Sequence, residues 1–356
     1  MTGIRVELGA RSYEVVVAAD TTDLGAAAAR ALGTPRPGAL LADRIAHGLH
    51  GARFRAALEQ AGFAPLVEHL IAGGEASKTL ATVESACEHL AQAGLDRGSP
   101  VFVLGGGVTG DIGGFVAATF LRGVPLVQLP TTLLAQTDAA IGGKTGVNLS
   151  AGKNLVGAFW QPRLVYADVS TLATLPPREV AAGLAEVVKY GLIADPVILD
   201  LLESQPVAPP LLSELVARSA AIKAQIVSRD EREAGERTLL NFGHTVGHAI
   251  EVATSYTTLL HGEAVALGML AACRVSAALG GDPALEGRLR ALLTRLGLPT
   301  ELEPYLHPHV LAHMATDKKH AASRVRFVVC ERAGRARTEW LEMADVERML
   351  RRTAGS

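Results

Sequence analysis

Up to about residue 170 the chain alternates short apolar runs with Ala-rich stretches of helical period: "GALLAD" and then a helix, "LVEHLIA" before "TLATVESACEHLAQAG", "SPVFVLGGG" before "DIGGFVAATFL". No other feature narrows the fold as far. A strand followed by a helix carries the chain back to the end it started from, so successive strands run parallel and need helices over both faces. Two further strand candidates, "PLVQLP" and "RLVYAD", flank a Gly-rich, Lys-containing segment from 142 to 157. The first stretch, "MTGIRVELGARSYEVVVAAD", alternates apolar and polar residues like paired strands and lacks the basic start and apolar middle of a signal peptide.

After "LPPRE" at 175–179 the texture changes. Long Leu/Ala patterns follow, among them "ELVARSAAIKAQIVSRDEREAG" and "GEAVALGMLAACRVSAALG", with little strand signal before "RVRFVVC" at 324–330. The expected organisation is an α/β domain with a parallel sheet over 1–174 and a mostly α-helical domain over 175–356. The length, 356 residues of which 49% are hydrophobic, supplies core enough for two domains.

Charge removes whole classes of partner. Lys plus Arg number 34 against 36 Asp plus Glu, so no global field draws the chain to nucleic acid or to an acidic membrane, and any phosphate must be met by local geometry. No apolar run approaches the ~20 residues that span a bilayer. Cys87, Cys273 and Cys330 are scattered, odd in number and outside C-x-x-C spacing, which suggests neither a disulfide frame nor a thiolate zinc site and fits a reducing, cytoplasmic setting.

Six stretches carry candidate chemistry. "VFVLGGGVTGD" sets Gly105, Gly107 and Gly110 in G-x-G-x-x-G spacing after a strand and before a helix, where backbone N–H groups can hold a pyrophosphate. It departs from the usual dinucleotide fingerprint, since it is not in the first βα unit and no acidic residue lies ~20 positions on to take a ribose hydroxyl. Asp43, ending "ALLAD", is a substitute for that residue, and Glu75 and Lys78 of "GGEASKT" are either a surface pair or cofactor contacts. "DAAIGGKTGVNLSAGKNLVGAF", 138–159, places Lys144, Lys153 and Asn154 among glycines, a plain surface loop or a cradle for a small anionic substrate. It is no Walker A motif, so the anion expected is a phosphate or carboxylate on a small molecule.

"NFGHTVGHAIE", 241–251, continues the helical pattern of "RTLL" before it, so that Arg237, Asn241, His244 and His248 fall at i, i+4, i+7 and i+11 on one face of one helix whose other faces are apolar. Such a stripe suits a polar cavity better than open solvent. Glu186 and Lys189 of "GLAEVVKYG" share a helical face, as an ion pair of little net value or as site groups, and "LLHGEAVALGM" brings His261 and Glu263 to a helix start. Glu186, His244, His248, His261 and Glu263 form a ligand pool for a catalytic zinc, which needs three protein ligands and one open position; spacing alone leaves open which three bind.

Together these stretches, with "FLRGVPLVQLPTTLLAQTDAAIGGKTGVN", "GKNLVGAF" and "TDKK", stand in the order and spacing of the 3-dehydroquinate synthase family, which the chain resembles from about residue 40 to residue 330. The resemblance implies zinc, with cobalt as a substitute, held by Glu186, His244 and His261, and His248 left free to assist proton transfer. It implies a sugar phosphate substrate met by Lys144, Lys189, Arg237 and Asn241, with Asp138, Lys153, Asn154 and Lys223 around it and Lys318 or Lys319 closing over it. NAD would lie on Gly105, Gly106, Gly107, Val108, Gly110 and Asp111, with Asp43, Glu75, Lys78, Thr131, Thr132 and Thr174 as further contacts. Arg122 resembles the arginine lent to a neighbouring subunit's phosphate site, so a homodimer is implied. The implied reaction converts 3-deoxy-D-arabino-heptulosonate 7-phosphate to 3-dehydroquinate and phosphate through transient oxidation by NAD, phosphate elimination, re-reduction, ring opening and an internal aldol step, in the shikimate pathway to aromatic amino acids. The rivals are a related sugar phosphate cyclase, a metal-dependent polyol dehydrogenase and a non-enzymatic binding protein; the last would be expected to lose some of these groups, and none is missing.

Overall fold

The structure is a computed structural model that describes residues 1–255, 258–316 and 324–351. Its first unit comprises Met1–Leu175 and Ala208–Arg232, its second Pro176–Val207 and the chain from Glu233 on. Eleven strands follow one another along the described chain: β1 Thr2–Val6, β2 Tyr13–Ala18, β3 Gly38–Asp43, β4 Leu66–Ile71, β5 Val101–Gly105, β6 Leu126–Pro130, β7 Lys144–Leu149, β8 Gly152–Phe159, β9 Leu164–Asp168, β10 Arg324–Arg332 and β11 Arg335–Glu342.

In the first unit a 7-stranded sheet has the order β1-β2-β9-β6-β5-β3-β4. All its pairings are parallel except β1 with β2, the hairpin that the first twenty residues predict. The strands β5, β6 and β9 are buried at every residue, and apart from Gln128 within β6 and Asp168 at the end of β9 they are apolar, as a sheet covered on both faces requires. On one face Leu40, Phe102, Leu104 and Leu129 pack with Phe54 and Leu58 of the helix Ala52–Gln60. On the other, Leu41, Val101, Val103 and Leu126 pack with Val83 and Leu90 of Leu80–Gln92 and with Ile112 and Val116 of Gly107–Thr119. Each such side chain contributes roughly 1.5–3 kcal/mol when taken from water, so the alternation of faces specifies the register.

The helix Pro209–Arg229 belongs to this unit, not with the C-terminal half to which its Leu/Ala texture assigns it in the sequence. Its Ala220, Ala224 and Val227 pack on Val6, Tyr13, Val15 and Val165 of the hairpin side of the sheet. The Gly-rich segment between β6 and β9, open in the sequence between a surface loop and an anion cradle, forms a hairpin: β7 and β8 pair antiparallel as a second, two-stranded sheet.

The second unit is mostly helical, with Pro177–Ile193, His244–Ala253 and His261–Ala278 as the elements that carry its polar site, and β10 paired with β11 as its only sheet among the described residues. His261–Ala278 is buried from Gly262 to Ser276, as an all-round apolar helix must be. No helix of the described residues is long and apolar enough to cross a membrane.

Candidate active site

The strand order reverses between β3 and β5: from β3 the chain first moves outward to β4, then returns to the other side of β3 for β5. In open α/β sheets ligands bind outside the carboxyl ends of strands at such a switch point. Two of the expected nucleotide contacts sit there, Asp43 ending β3 and Gly105 ending β5. Gly106 is the N-cap of Gly107–Thr119 and gives it no side-chain cap, so first-turn N–H groups near Val108 are left for an anion. Asp43 Oδ1 accepts from the N–H groups of Ile45 and Ala46 at 2.8 and 2.9 Å, which commits one oxygen of this carboxylate to capping. Thr131 follows β6 and is buried, Thr132 Oγ1 accepts from Ala135 N–H at 3.2 Å, and the Thr174 hydroxyl lies 3.0 Å from His50 Nε2.

A closed polar network holds the loop after β4 to the β7–β8 hairpin. Lys78, 4% exposed, donates to Asp111 Oδ2 at 2.6 Å and to Asn154 Oδ1. Asn148 donates to Glu75 Oε1 at 2.7 Å, accepts from Asn154 N–H at 2.9 Å, and its own N–H donates to the Lys78 carbonyl at 2.8 Å. Burial pushes the Asp111 carboxyl up, with Lys78 pulling the other way. Lys144 and Lys153 lie on this hairpin, Lys144 exposed at its first residue and Lys153 half-buried. Lys223, on Pro209–Arg229, donates to the Asp138 carbonyl at 2.6 Å and lies 2.8 Å from its carboxylate. Arg122 is exposed in a turn with φ 67°.

In the second unit the expected single stripe is broken, and the break aims the imidazoles. Arg237 and Asn241 belong to a 3-10 turn, Glu236–Asn241, while His244 and His248 belong to the helix His244–Ala253. Between them Gly243 takes a left-handed φ of 80°, and a Cβ there would come within 2.9 Å of the Met269 nitrogen and 3.0 Å of the Val265 carbonyl oxygen. Only glycine meets both demands. Asn241 donates to Glu233 Oε1 at 2.7 Å, and Arg237 is buried.

Glu186, His244 and His261 come together, their donor atoms all within 4.8 Å of one another. Glu186 is 0% exposed and Lys189, one helical turn on, 1%, and the two are in direct contact. The other carboxylate oxygen, Oε1, lies 3.4 Å from His244 Nε2 and 3.5 Å from His261 Nε2 and has no hydrogen-bond partner among the described residues. A tetrahedral ion with bonds of about 2.0–2.1 Å sets its ligands about 3.3–3.4 Å apart, so these separations fit donors sharing one cation. Burial works against ionisation of Glu186, but Lys189 and His244 outweigh it and hold the carboxyl well below its usual range. His261 loses to burial and gains more from Glu186 and Glu251, which together raise it to about 10.

Of the ligand pool, two members lie outside this trio. Glu263 caps its own helix by accepting from Leu260 N–H at 2.7 Å and takes Arg178 in a two-pronged pair at 2.6 and 2.7 Å. His248 is 45% exposed, its ring centroid 5.2 Å from that of His244. Lys318 and Lys319 lie outside the described residues. Three polar residues escaped the sequence reading: Asn148, Glu233 and Glu251. Glu251 had a signal, falling at i+7 from His244 on the same helical face; Asn148, on β7, and Glu233, outside any helix or strand, act through long-range contacts that no period encodes.

Two family models match the chain: 3-dehydroquinate synthase N-terminal over residues 68–182 and 3-dehydroquinate synthase C-terminal over 183–320. A 3-dehydroquinate synthase of Symbiobacterium thermophilum is 48% identical over 338 residues, 92% of this chain and 94% of the relative. Among solved structures, a 2-deoxy-scyllo-inosose synthase complexed with carbaglucose-6-phosphate, NAD+ and Co2+ superposes with a TM-score of 0.85 at 25% identity, covering 98% of this chain and 99% of that one. The 2-epi-5-epi-valiolone synthase of Streptomyces hygroscopicus subsp. jinggangensis 5008, with NAD+ and Zn2+ bound, gives 0.81 at 30% identity over 95% of each chain. With both family models matched in succession and a relative this similar over nearly the whole length, the chain belongs to the 3-dehydroquinate synthase family.

Proposed function

We infer that the chain catalyses its family's reaction, turning 3-deoxy-D-arabino-heptulosonate 7-phosphate into 3-dehydroquinate with loss of phosphate, as a carbon–oxygen lyase dependent on NAD and zinc or cobalt. The observation that carries this is the convergence of Glu186 Oε1 with two imidazole Nε2 atoms at 3.4 and 3.5 Å, a donor set that fits a divalent ion with one position left for substrate. The uncapped Gly106 turn at the sheet's switch point fits a dinucleotide pyrophosphate.

Glu186, His244 and His261 would hold the ion, and Gly105, Gly106, Gly107, Val108, Gly110 and Asp111 the dinucleotide, with Asp43, Glu75, Lys78, Thr131, Thr132 and Thr174 as further contacts. The ion supplies Lewis acidity toward substrate oxygens, and NAD supplies a reversible oxidation that makes phosphate elimination possible. The chain's own groups do the rest. Lys144, Lys153, Lys189, Lys223, Arg237 and Arg122 offer cations to a phosphate and a carboxylate, and rigid placement of several selects one reactive conformer. Asn154 and Asn241 add amide donors, Asn241 held by Glu233 and Lys223 by Asp138. His248, whose ring is the most open of the three, is placed to move a proton without ligating. Arg122 serves a neighbouring subunit in a homodimer, and the enzyme works in the cytoplasm.

The test is an assay of the purified chain with the heptulosonate phosphate. Phosphate should be released one for one with substrate, NAD should be required yet not consumed, and deuterium at the substrate's C5 should reappear in the product. Steady accumulation of NADH would sink the cyclase reading in favour of a polyol dehydrogenase, and turnover of a hexose phosphate instead would point to a related cyclase.

A further inference from the structure

His261 stands between two carboxylates. Its Nε2 faces Glu186 Oε1 at 3.5 Å, and its Nδ1 faces Glu251 Oε2 at 3.3 Å. Glu251 is 6% exposed, on the same helix as His244 and His248. The other imidazole of the trio has a parallel arrangement: His244 Nε2 faces Glu186 Oε1, and its Nδ1 lies 3.2 Å from the Phe242 carbonyl oxygen, which the left-handed turn at Gly243 presents. A histidine that gives Nε2 to a cation carries its proton on Nδ1 and needs an acceptor there. Each imidazole has one, a backbone carbonyl for His244 and a buried carboxylate for His261.

We propose that Glu251 is a positioning residue for the metal centre: it accepts the Nδ1 proton of His261, fixes the ring's tautomer and direction, and strengthens Nε2 as a donor. The proposal rests on the reading of Glu186, His244 and His261 as a metal site. The same residues offer a competing arrangement, since His248, Glu251 and His261 also bring donor atoms within 4.8 Å of one another. Three facts count against a second ion there. His248 Nε2 is 4.0 Å from Glu251 Oε2, wider than donors on one small ion; the His248 side chain is 45% exposed; and His261 would have to surrender both ring nitrogens and its last proton. One ion with a carboxylate behind one ligand satisfies the geometry.

The experiment uses the full chain as wild type, Glu251→Ala and Glu251→Gln, and measures zinc affinity by competition with a coloured chelator and the visible spectrum of the cobalt-loaded protein. Wild type should take up one equivalent. Glu251→Ala should bind about 10–100-fold more weakly, with a shifted cobalt spectrum, because the imidazole is no longer held. Glu251→Gln keeps a carbonyl acceptor without the charge and should fall between the two, so it carries the test should the alanine variant fold poorly. Wild-type affinity and spectrum in both variants would overturn the proposal. Uptake of two equivalents, falling to one in His248→Ala, would replace it with the second site. Failure of the wild type to bind any metal would remove the metal-site reading itself and this inference with it.

Discussion

Lys78 and Lys189 are both taken almost wholly out of water, yet their surroundings resolve the cost in different ways. Lys78 ends in a network closed on itself: Asp111 and Asn154 accept from it, and Asn148 ties Asn154 to Glu75 and to the Lys78 backbone. Lys189 meets Glu186, whose second oxygen faces two imidazoles at 3.4 and 3.5 Å, a donor set that fits an added cation. The first cluster is complete as folded, and a ligand reaching it must exchange for existing hydrogen bonds. On the proposed reading of Glu186, His244 and His261 as a metal site, the second is completed by the ion it binds. Stability in the two regions should therefore respond differently to the same treatments.

The largest contrast is expected from metal removal. Chelation should bring phosphate release down to background and zinc or cobalt should restore it. Metal at a hundred times its dissociation constant adds about 2.7 kcal/mol to whatever it binds in the folded state alone. In hydrogen exchange that gain should fall on His244–Ala253 and His261–Ala278 and leave β3 and β5 unchanged. Equal protection of both regions would break the contrast.

Next come the two lysines themselves. Lys189→Ala strands a fully buried carboxylate and should cost about 3–5 kcal/mol in the metal-free chain, a loss that shrinks on adding zinc because the ion takes over as counter-charge. Lys78→Ala leaves Asp111 and Asn154 short of one donor but within reach of water, for about 1–3 kcal/mol that zinc does not alter. Urea midpoints with and without zinc decide it; matching deficits, or zinc rescue of the Lys78 variant, would refute the distinction.

How far the sequence reveals these regions follows from the same physics. β3, β5, β6 and β9 are legible because strands buried on both faces must be predominantly apolar. The hairpin β7–β8 is not, because its pairing relies on absent side chains: a Cβ at Gly146 or Gly157 would come within 2.5 or 2.1 Å of a facing carbonyl oxygen. Glycine reads as loop when it is the condition for two backbones to meet. The stripe from Arg237 to His248 reads as one helix because Phe242–Gly243 preserves the apolar pattern while turning the chain. Glu186, His244, His261 and Glu263 are all visible as ligand types, but what engages Glu263 elsewhere is Arg178, 85 residues away from it, which no local pattern contains. In the same way the amphipathic pattern of Pro209–Arg229 announces a helix and is silent on which sheet it covers.

The smallest effect concerns that helix. Just beyond its end, Glu231 receives a two-pronged pair from Arg11, one arm at 2.7 Å, and a 3.0 Å hydrogen bond from Gln161. The Arg11 hydrogen bond is the main cause that holds the Glu231 carboxyl below its usual value; burial opposes it, and the Gln161 bond assists. A carboxyl whose folded value is depressed contributes stability above its unfolded value of about 4.3, and that contribution disappears as the pH falls through the folded value. Arg11 is more than half exposed, so solvent screening limits the pair to less than about 1 kcal/mol. Arg11→Ala should therefore lower the urea midpoint slightly at pH 7, by an amount that fades toward pH 3 and diminishes in high salt. In the proposed metal cluster an added ion would be the partner, whereas here both partners are the chain's own, so zinc should leave this deficit untouched. A deficit of the same size at every pH would mean that the Arg11 stem, and not its charge, holds the segment after this helix to the first strands of the sheet.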